Sequence, residues 1–128
     1  MKIIQTVKAP QAIGPYSQAL RISAKEFIYT SGQLGLDPDT GEFVSNSTAD
    51  QCRQALTNIH AVLHEAGLTL SDVVKITVFL ADITDFQTVN EIFIQMFGEH
   101  KPARSVIQAA ALPKNGRIEI EAIAAVRS

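Results

Sequence analysis

The sequence predicts an α+β fold in which two helices pack on one face of a mixed, mostly antiparallel sheet. Three observations support this prediction: two segments repeat apolar residues with helical spacing, the segment between them alternates like a strand, and further strand-like segments flank both helices. With 128 residues, 46% apolar and 19% charged, the chain has the composition of one globular domain.

The first helix is predicted to open at Thr48-Ala49-Asp50-Gln51, which has the form of a capping box, and to end before Gly67. Between these points, apolar residues recur three and four positions apart: Cys52, Ala55, Leu56, Ile59, Val62, Leu63 and Ala66. This stripe must pack on an apolar surface. Cys52, the single cysteine, is interpreted as a small apolar residue of the stripe and not as a nucleophile.

The second helix is predicted to begin near Thr84, with Gln87 three residues on, and to stop at Gly98. Its apolar stripe is Phe86, Val89, Phe93 and Met96 or Phe97. Between the two helices, Val74, Ile76, Val78 and Leu80 alternate with a mixed face, which predicts a strand. Further strands are expected over residues 26–31, 105–109 and 118–126.

The sheet face opposite the helices is more apolar than a solvated face needs to be. It is expected to carry Thr77, Phe79, Ala81, Ile123 and Ala125 beside Glu119 and Glu121. This composition predicts self-association.

Charge and hydropathy narrow the possible partners. The formal net charge is −2, and the lysines and arginines are scattered, so no basic footprint for nucleic acid is present. No apolar run approaches the ~20 residues of a membrane helix, and the first residues lack the apolar core of a signal peptide. We therefore expect a cytoplasmic protein that binds neither nucleic acid nor membrane.

Several blocks of the sequence resemble the reactive intermediate deaminase (RidA, YjgF) family. They are Ile13-Gly14-Pro15-Tyr16-Ser17-Gln18-Ala19, Thr30-Ser31-Gly32-Gln33, Pro102-Ala103-Arg104-Ser105, and Leu112-Pro113 followed by Ile118-Glu119-Ile120-Glu121. Shorter matches lie between them at Ala66-Gly67-Leu68, Asp72-Val73-Val74-Lys75, and Asp85-Phe86 through Val89-Asn90. The resemblance therefore covers nearly the whole chain.

The resemblance implies a single domain over residues 1–128 with a chorismate-mutase-like fold. It also implies a homotrimer with a barrel core and with active sites in the clefts between subunits. The family's activity is the cofactor-free hydrolysis of 2-aminoacrylate and 2-aminocrotonate to 2-keto acids and ammonia. These enamines leak from pyridoxal phosphate enzymes, which implies a functional link to threonine or serine dehydratases.

Carried over by position, the resemblance makes Arg104 the group that grips the substrate carboxylate. Glu119 would position water or move a proton, and would become a better proton acceptor once the substrate carboxylate neutralises Arg104. Tyr16 would orient the water or the amino nitrogen. The remaining pocket residues that the resemblance implies are Ser31, the backbone N–H groups of Gly32 and Val106, and Asn90.

Two positions depart from the family's common pattern. Val106 stands where many relatives have cysteine, which removes any thiol chemistry there. Ala111 replaces an arginine found in many members, which bears on subunit contacts or specificity.

Other interpretations of the same residues remain open. Arg104 and Glu119 could form a cross-strand ion pair with no catalytic role. His60 and His64 have the spacing of a zinc-binding pair but lack a third ligand, so no metal is expected. At the level of function, the alternatives are a module that senses keto acids or docks on a regulator and, against the charge balance, an endoribonuclease or translation inhibitor.

Overall fold

The computed structural model describes residues 1–127, which form a mixed five-stranded sheet, a separate two-stranded ribbon and two helices. The strands are β1 (Lys2–Ile4), β2 (Ala19–Arg21), β3 (Glu26–Tyr29), β4 (Gln33–Leu34), β5 (Val73–Leu80), β6 (Ala103–Gln108) and β7 (Ile118–Val126). The helices are α1 (Thr48–Glu65) and α2 (Phe86–Phe97). No helix in this part of the chain is both long and apolar enough to span a bilayer.

The main sheet has the strand order β3-β7-β5-β6, with β4 also paired to β7. Strand β6 runs parallel to β5, and the other pairs are antiparallel. The ribbon joins β1 to β2. The predicted α+β class and the mixed sheet are confirmed, and β6 is left as an edge strand.

Both helices bury their apolar stripes against one face of this sheet. Ile76, Val78 and Leu80 of β5 are fully buried in one cluster with residues of α1 and α2. Alternate strand residues point to opposite faces, so the neighbours of these three lie on the other face. The predicted stripe of α1 is confirmed except near its end, where Val62 is exposed and Ala66, also exposed, lies just beyond the last helical residue.

Helix α1 begins as predicted, but its capping residue is Ser47. The Ser47 hydroxyl accepts a hydrogen bond from the Asp50 N–H at 3.1 Å. The predicted capping box at Thr48-Ala49-Asp50-Gln51 is therefore wrong, because the Thr48 hydroxyl donates instead to the Asp85 carboxylate at 2.7 Å.

Helix α2 begins two residues later than predicted. Thr84 lies in a short 3-10 turn whose cap is Asp82, so the Thr84–Gln87 capping box is wrong as well. The helix ends at Gly98, as expected, and this glycine has φ of 61°.

The sequence placed strands β5 and β7 correctly, but the boundaries of β3 and β6 shift by one or two residues. Strand β3 ends at Tyr29 instead of residue 31, and β6 spans 103–108 instead of 105–109. Strands β1, β2 and β4 were not predicted, since segments of two or three residues are too short to show a period.

Within the described residues, no element covers the second face of the sheet in the way that the helices cover the first. It presents three large exposed apolar side chains: Phe27 (46% exposed), Tyr29 (71%) and Ile107 (48%). We refer to it as the open face. The sequence predicted an apolar face here from other residues: of these, Phe79 and Ile123 are half-buried and Ala125 is buried.

Candidate active site

Arg104 lies on edge strand β6 and points to the helix side of the sheet. Its register partner on β5 is Ile76, which is fully buried under the helices. Register partners project to the same face, which carries the Arg104 side chain towards α2.

Three aromatic rings surround the Arg104 guanidinium. Its central carbon lies 5.2 Å from the ring centroid of Tyr16, 5.6 Å from that of Phe86 and 5.0 Å from that of Phe93. These distances allow cation–π attraction. Sequence reasoning assigned Phe86 and Phe93 only to the apolar stripe of α2, although their seven-residue spacing places both on the face that meets Arg104.

The two terminal nitrogens of Arg104 differ in their hydrogen bonding. Nη2 donates to Oδ1 of Asn90 on α2 at 2.7 Å, whereas Nη1 is buried and has no partner in the described chain. Burial lowers the pKa of the guanidinium from its ordinary value, although an arginine remains charged at neutral pH. A buried cation with unused donors is a binding site for an anion, above all for a planar carboxylate.

The segment that carries Tyr16 closes over this cation. The Ser17 hydroxyl donates to the Lys101 carbonyl, and the Ser17 N–H donates to the carbonyl of Pro102, which fixes the segment beside β6. A Cβ on Gly14 would lie 3.3 Å from the Tyr16 ring and 3.5 Å from Nη2 of Arg104. Tyr16 and Arg104 both line a cleft of about 340 Å³.

Glu119 lies on the opposite side of the sheet from Arg104. Its register partner on β5 is Phe79, three residues beyond Ile76 and therefore on the open face. The Glu119 side chain lies against the backbone of Gly32, where an added Cβ would come within 2.8 Å of the carboxyl carbon. Ser31, the residue before Gly32, is exposed.

The chain thus brings the predicted site residues together in two groups. Arg104, Asn90 and Tyr16 form the first group, on the helix side, which we call the arginine group. Glu119 and Gly32, with Ser31 adjacent, form the second group on the open face, which we call the glutamate group. The alternative of a cross-strand ion pair between Arg104 and Glu119 within one chain is therefore wrong.

Val106 belongs to the side of the arginine group. It pairs with Val78 on β5, and its side chain packs against the core. An aliphatic side chain here leaves this part of strand β6 without an ionisable group.

The remaining candidates for chemistry lie elsewhere. The rings of His60 and His64 are 6.1 Å apart, and within residues 1–127 no cluster of three potential metal ligands occurs. Cys52 is fully buried, which raises the pKa of its thiol to about 12. It does not form a thiolate at neutral pH.

Comparison with known proteins gives two kinds of name, one of an endoribonuclease and one of a deaminase. The family model described as endoribonuclease L-PSP matches residues 6–126. A 2-iminobutanoate/2-iminopropanoate deaminase from Bos taurus is 56% identical, and one from Homo sapiens is 54% identical. Each alignment covers 96% of this chain and 88% of the relative.

Solved structures agree with these matches. Escherichia coli TdcF with bound serine is 46% identical with a TM-score of 0.74, and each chain is covered completely. RidA from the Antarctic bacterium Psychrobacter is 45% identical with a TM-score of 0.76, over 98% of this chain and 100% of that one. The chain therefore belongs to the endoribonuclease L-PSP family, the RidA/YjgF family that the sequence blocks resemble.

Proposed function

We propose that this chain is a deaminase that hydrolyses 2-enamino and 2-imino acids, such as 2-aminoacrylate and 2-aminocrotonate, to 2-keto acids and ammonia. The names of its relatives from cattle and human support this proposal. The observation that carries it is the half-buried Arg104 side chain, whose buried Nη1 has no partner in the described chain. Every substrate of this class bears a carboxylate, which a guanidinium holds through two parallel hydrogen bonds.

The reaction itself needs orientation and proton transfer. A proton added to C3 of the enamine converts its C2–C3 double bond into a C2–nitrogen double bond. The oxygen of water then adds to C2 and loses a proton to a base, and the resulting carbinolamine expels ammonia to leave a carbonyl at C2. No step requires an electron sink, so positioned side chains suffice.

Each group of residues has a part in this scheme. Arg104 fixes the carboxylate and therefore the plane of the substrate, while Asn90 holds the guanidinium in place. Glu119 accepts the proton of the attacking water, and the Tyr16 hydroxyl orients that water or the amino nitrogen. Ser31 and the backbone N–H groups of Gly32 and Val106 complete the pocket.

A homotrimer with sites between subunits belongs to the same proposal. The arginine group and the glutamate group lie on opposite faces of one sheet, so a second copy must supply the missing half of each site. The exposed apolar side chains of the open face give such a contact its driving force. In the cytoplasm, such a trimer would remove enamines released by threonine or serine dehydratases.

The description of the family model as an endoribonuclease suggests a second activity. A net charge of −2 with scattered basic residues gives RNA no binding surface, so the charge pattern favours the deaminase.

The test couples the protein to a threonine dehydratase and follows imine decay and 2-ketobutyrate formation. We expect the wild type to accelerate both, and Arg104→Ala to lose about a hundredfold in kcat/KM. Arg104→Lys should recover only part of this loss, because an ammonium cannot form the bidentate pair. Arg127→Gln, which opens an ion pair at the far end of β7, serves as the folded control.

A wild type that binds 2-ketobutyrate but leaves the decay of the imine unchanged would overturn the proposal. The protein would then be a binding module on this fold. Salt-dependent cleavage of RNA by the wild type would support the endoribonuclease instead.

A further inference from the structure

Asp85, at the start of α2, uses its carboxylate in an unusual way for its position. An aspartate before the first turn of a helix ordinarily accepts a hydrogen bond from an N–H of that turn. The Asp85 side chain makes no such bond. It accepts instead from the hydroxyl of Thr48 at 2.7 Å and from Nη2 of Arg117 at 3.3 Å.

Arg117 forms hydrogen bonds beside Asp85 through both its backbone and its side chain. Its Nε lies 3.4 Å from the Thr48 hydroxyl, and its backbone N–H donates to Oε1 of the buried Gln51 at 2.8 Å. Its backbone carbonyl accepts from the N–H of Ala81, just after β5. Thr48, Asp85 and Arg117 therefore join the first residues of α1, α2 and β7, and we call these three residues the clamp.

The elements that meet at the clamp carry both groups of site residues. Helix α2 presents Phe86 and Asn90 to Arg104, one and five residues beyond Asp85. Strand β7 presents Glu119 two residues beyond Arg117. The clamp thus links the support of the arginine group to the strand of the glutamate group through side-chain hydrogen bonds.

We propose that Asp85 and Arg117 are positioning residues of the deaminase sites. They fix α2 under Arg104 and the start of β7 before Glu119, and so align the half that this chain contributes to each of two neighbouring sites. This inference rests on the proposed function. Neither residue touches the substrate. The clamp acts through Asn90 on one side and through the start of β7 on the other. Its loss displaces the carboxylate receptor of one site and the base of the neighbouring site without removing either.

Removing an ordinary surface ion pair would leave the alignment of the site residues unchanged. The chain contains such a pair, which serves as a matched control. Arg127 and Asp72 form an ion pair at 3.1 Å at the opposite end of β7, away from both site groups. The side chains of Arg117 and Arg127 are similarly exposed, at 43% and 40%. Arg127→Gln therefore removes a comparable interaction from the same strand.

The experiment compares Asp85→Asn, Arg117→Gln and Arg127→Gln with the wild type by steady-state turnover of 2-aminocrotonate and by thermal unfolding. We expect kcat to fall about tenfold in the two clamp variants, KM to change less than about threefold, and both values to stay within about twofold in Arg127→Gln. Arg117→Lys, which keeps a cation beside Asp85, should recover part of kcat. A merely structural role would instead lower the melting temperature of all three glutamine or asparagine variants and leave the kcat of the folded protein intact.

Two further measurements test the inference. A double-mutant cycle separates the effect on the site from a loss of stability, and an NMR signal is measured without turnover. In kcat/KM, the loss from Asp85→Asn should be smaller when Asn90 is already alanine, since Asp85 acts through Asn90. In NMR spectra, Asp85→Asn should shift the side-chain amide signal of Asn90 and the Nε–H signal of Arg104, whereas Arg127→Gln should not. Additive losses or unshifted signals would overturn the clamp. Shifted signals in a protein whose wild type lacks turnover would overturn the deaminase and leave the clamp standing.

Discussion

Arg104 on β6 is half-buried and Cys52 on α1 is fully buried, yet burial has opposite chemical consequences for the two side chains. Arg104 keeps its charge and one unpartnered nitrogen, so it is suited to bind an anion. Burial raises the pKa of Cys52 to about 12 and makes the thiol an inert packing group. With valine at position 106, strand β6 offers no thiol beside Arg104, and the proposed reaction assigns water activation to Glu119.

The Cys52 thiol should make the protein less stable in alkali. Its folded pKa is about 12 against an ordinary value of 9.0. The stability from this group is fully present below pH 9.0 and is lost as the pH rises towards about 12, because only the unfolded chain has released the proton there. Relative to Cys52→Ala, the free energy of unfolding of the wild type should fall by about 1.4 kcal/mol per pH unit in this window.

Urea unfolding at a series of pH values and at fixed chain concentration measures this difference. Equal slopes for wild type and variant would contradict the expectation. The absolute stability of the alanine variant does not enter the comparison, since only the dependence on pH is used.

At the scale of elements, sequence periodicity was a better guide to the interior of an element than to its ends. The stripes of α1 and α2 and the alternation of β5 and β7 come from many residues each, and all four elements were predicted. The two predicted capping boxes were wrong, the first because the Thr48 hydroxyl bonds to Asp85 on a distant element and the second because Thr84 lies in a 3-10 turn capped by Asp82. A tertiary hydrogen bond such as that of Thr48 leaves no local pattern.

The turn between β6 and β7 offers a test of local backbone strain. Lys114 and Asn115 both adopt left-handed conformations, with φ of 56° and 59°. Asparagine tolerates this region, whereas a lysine Cβ is unfavourable there. We expect Lys114→Gly to raise the free energy of unfolding by about 0.5–1 kcal/mol.

Lys114→Ala separates the backbone effect from the loss of the lysine side chain, whose Nζ lies 3.4 Å from the Gly41 carbonyl. Alanine keeps a Cβ, so this variant should show no gain. Denaturant unfolding of both variants decides the point, and a gain in the alanine variant would assign the effect to the side chain instead.

At the scale of the molecule, the sequence indicated the open apolar face but not the separation of the site residues across the sheet. The family blocks identified Arg104 and Glu119 as partners in one site. The register of β5 with β6 and β7 places them on opposite faces, and a register is fixed by tertiary pairing that no single segment encodes. The roles of Phe86 and Phe93 around Arg104 were missed for a related reason, since aromatic residues on a helix stripe look the same whether they pack on aliphatic residues or on a cation.

Mixing two inactive variants tests whether each site takes its halves from two copies. Arg104→Ala retains an intact glutamate group, and Glu119→Gln retains an intact arginine group. In a trimer whose sites each combine one half from each neighbour, every mixed trimer contains one complete site out of three. Random assembly from equal amounts then restores roughly a quarter of the wild-type activity, because about three quarters of the trimers are mixed.

The two variants are unfolded together, refolded at equal concentrations and assayed with 2-aminocrotonate, and each variant refolded alone gives the baseline. Recovery near a quarter would establish that Arg104 and Glu119 act across an interface. No recovery from a mixture that elutes as a mixed oligomer would mean that each chain holds its own complete site. Because Arg104 and Glu119 lie on opposite faces of the sheet, a complete site within one chain would have to pass around the edge strand β6. The cleft beside Tyr16 would then have to extend as far as Glu119.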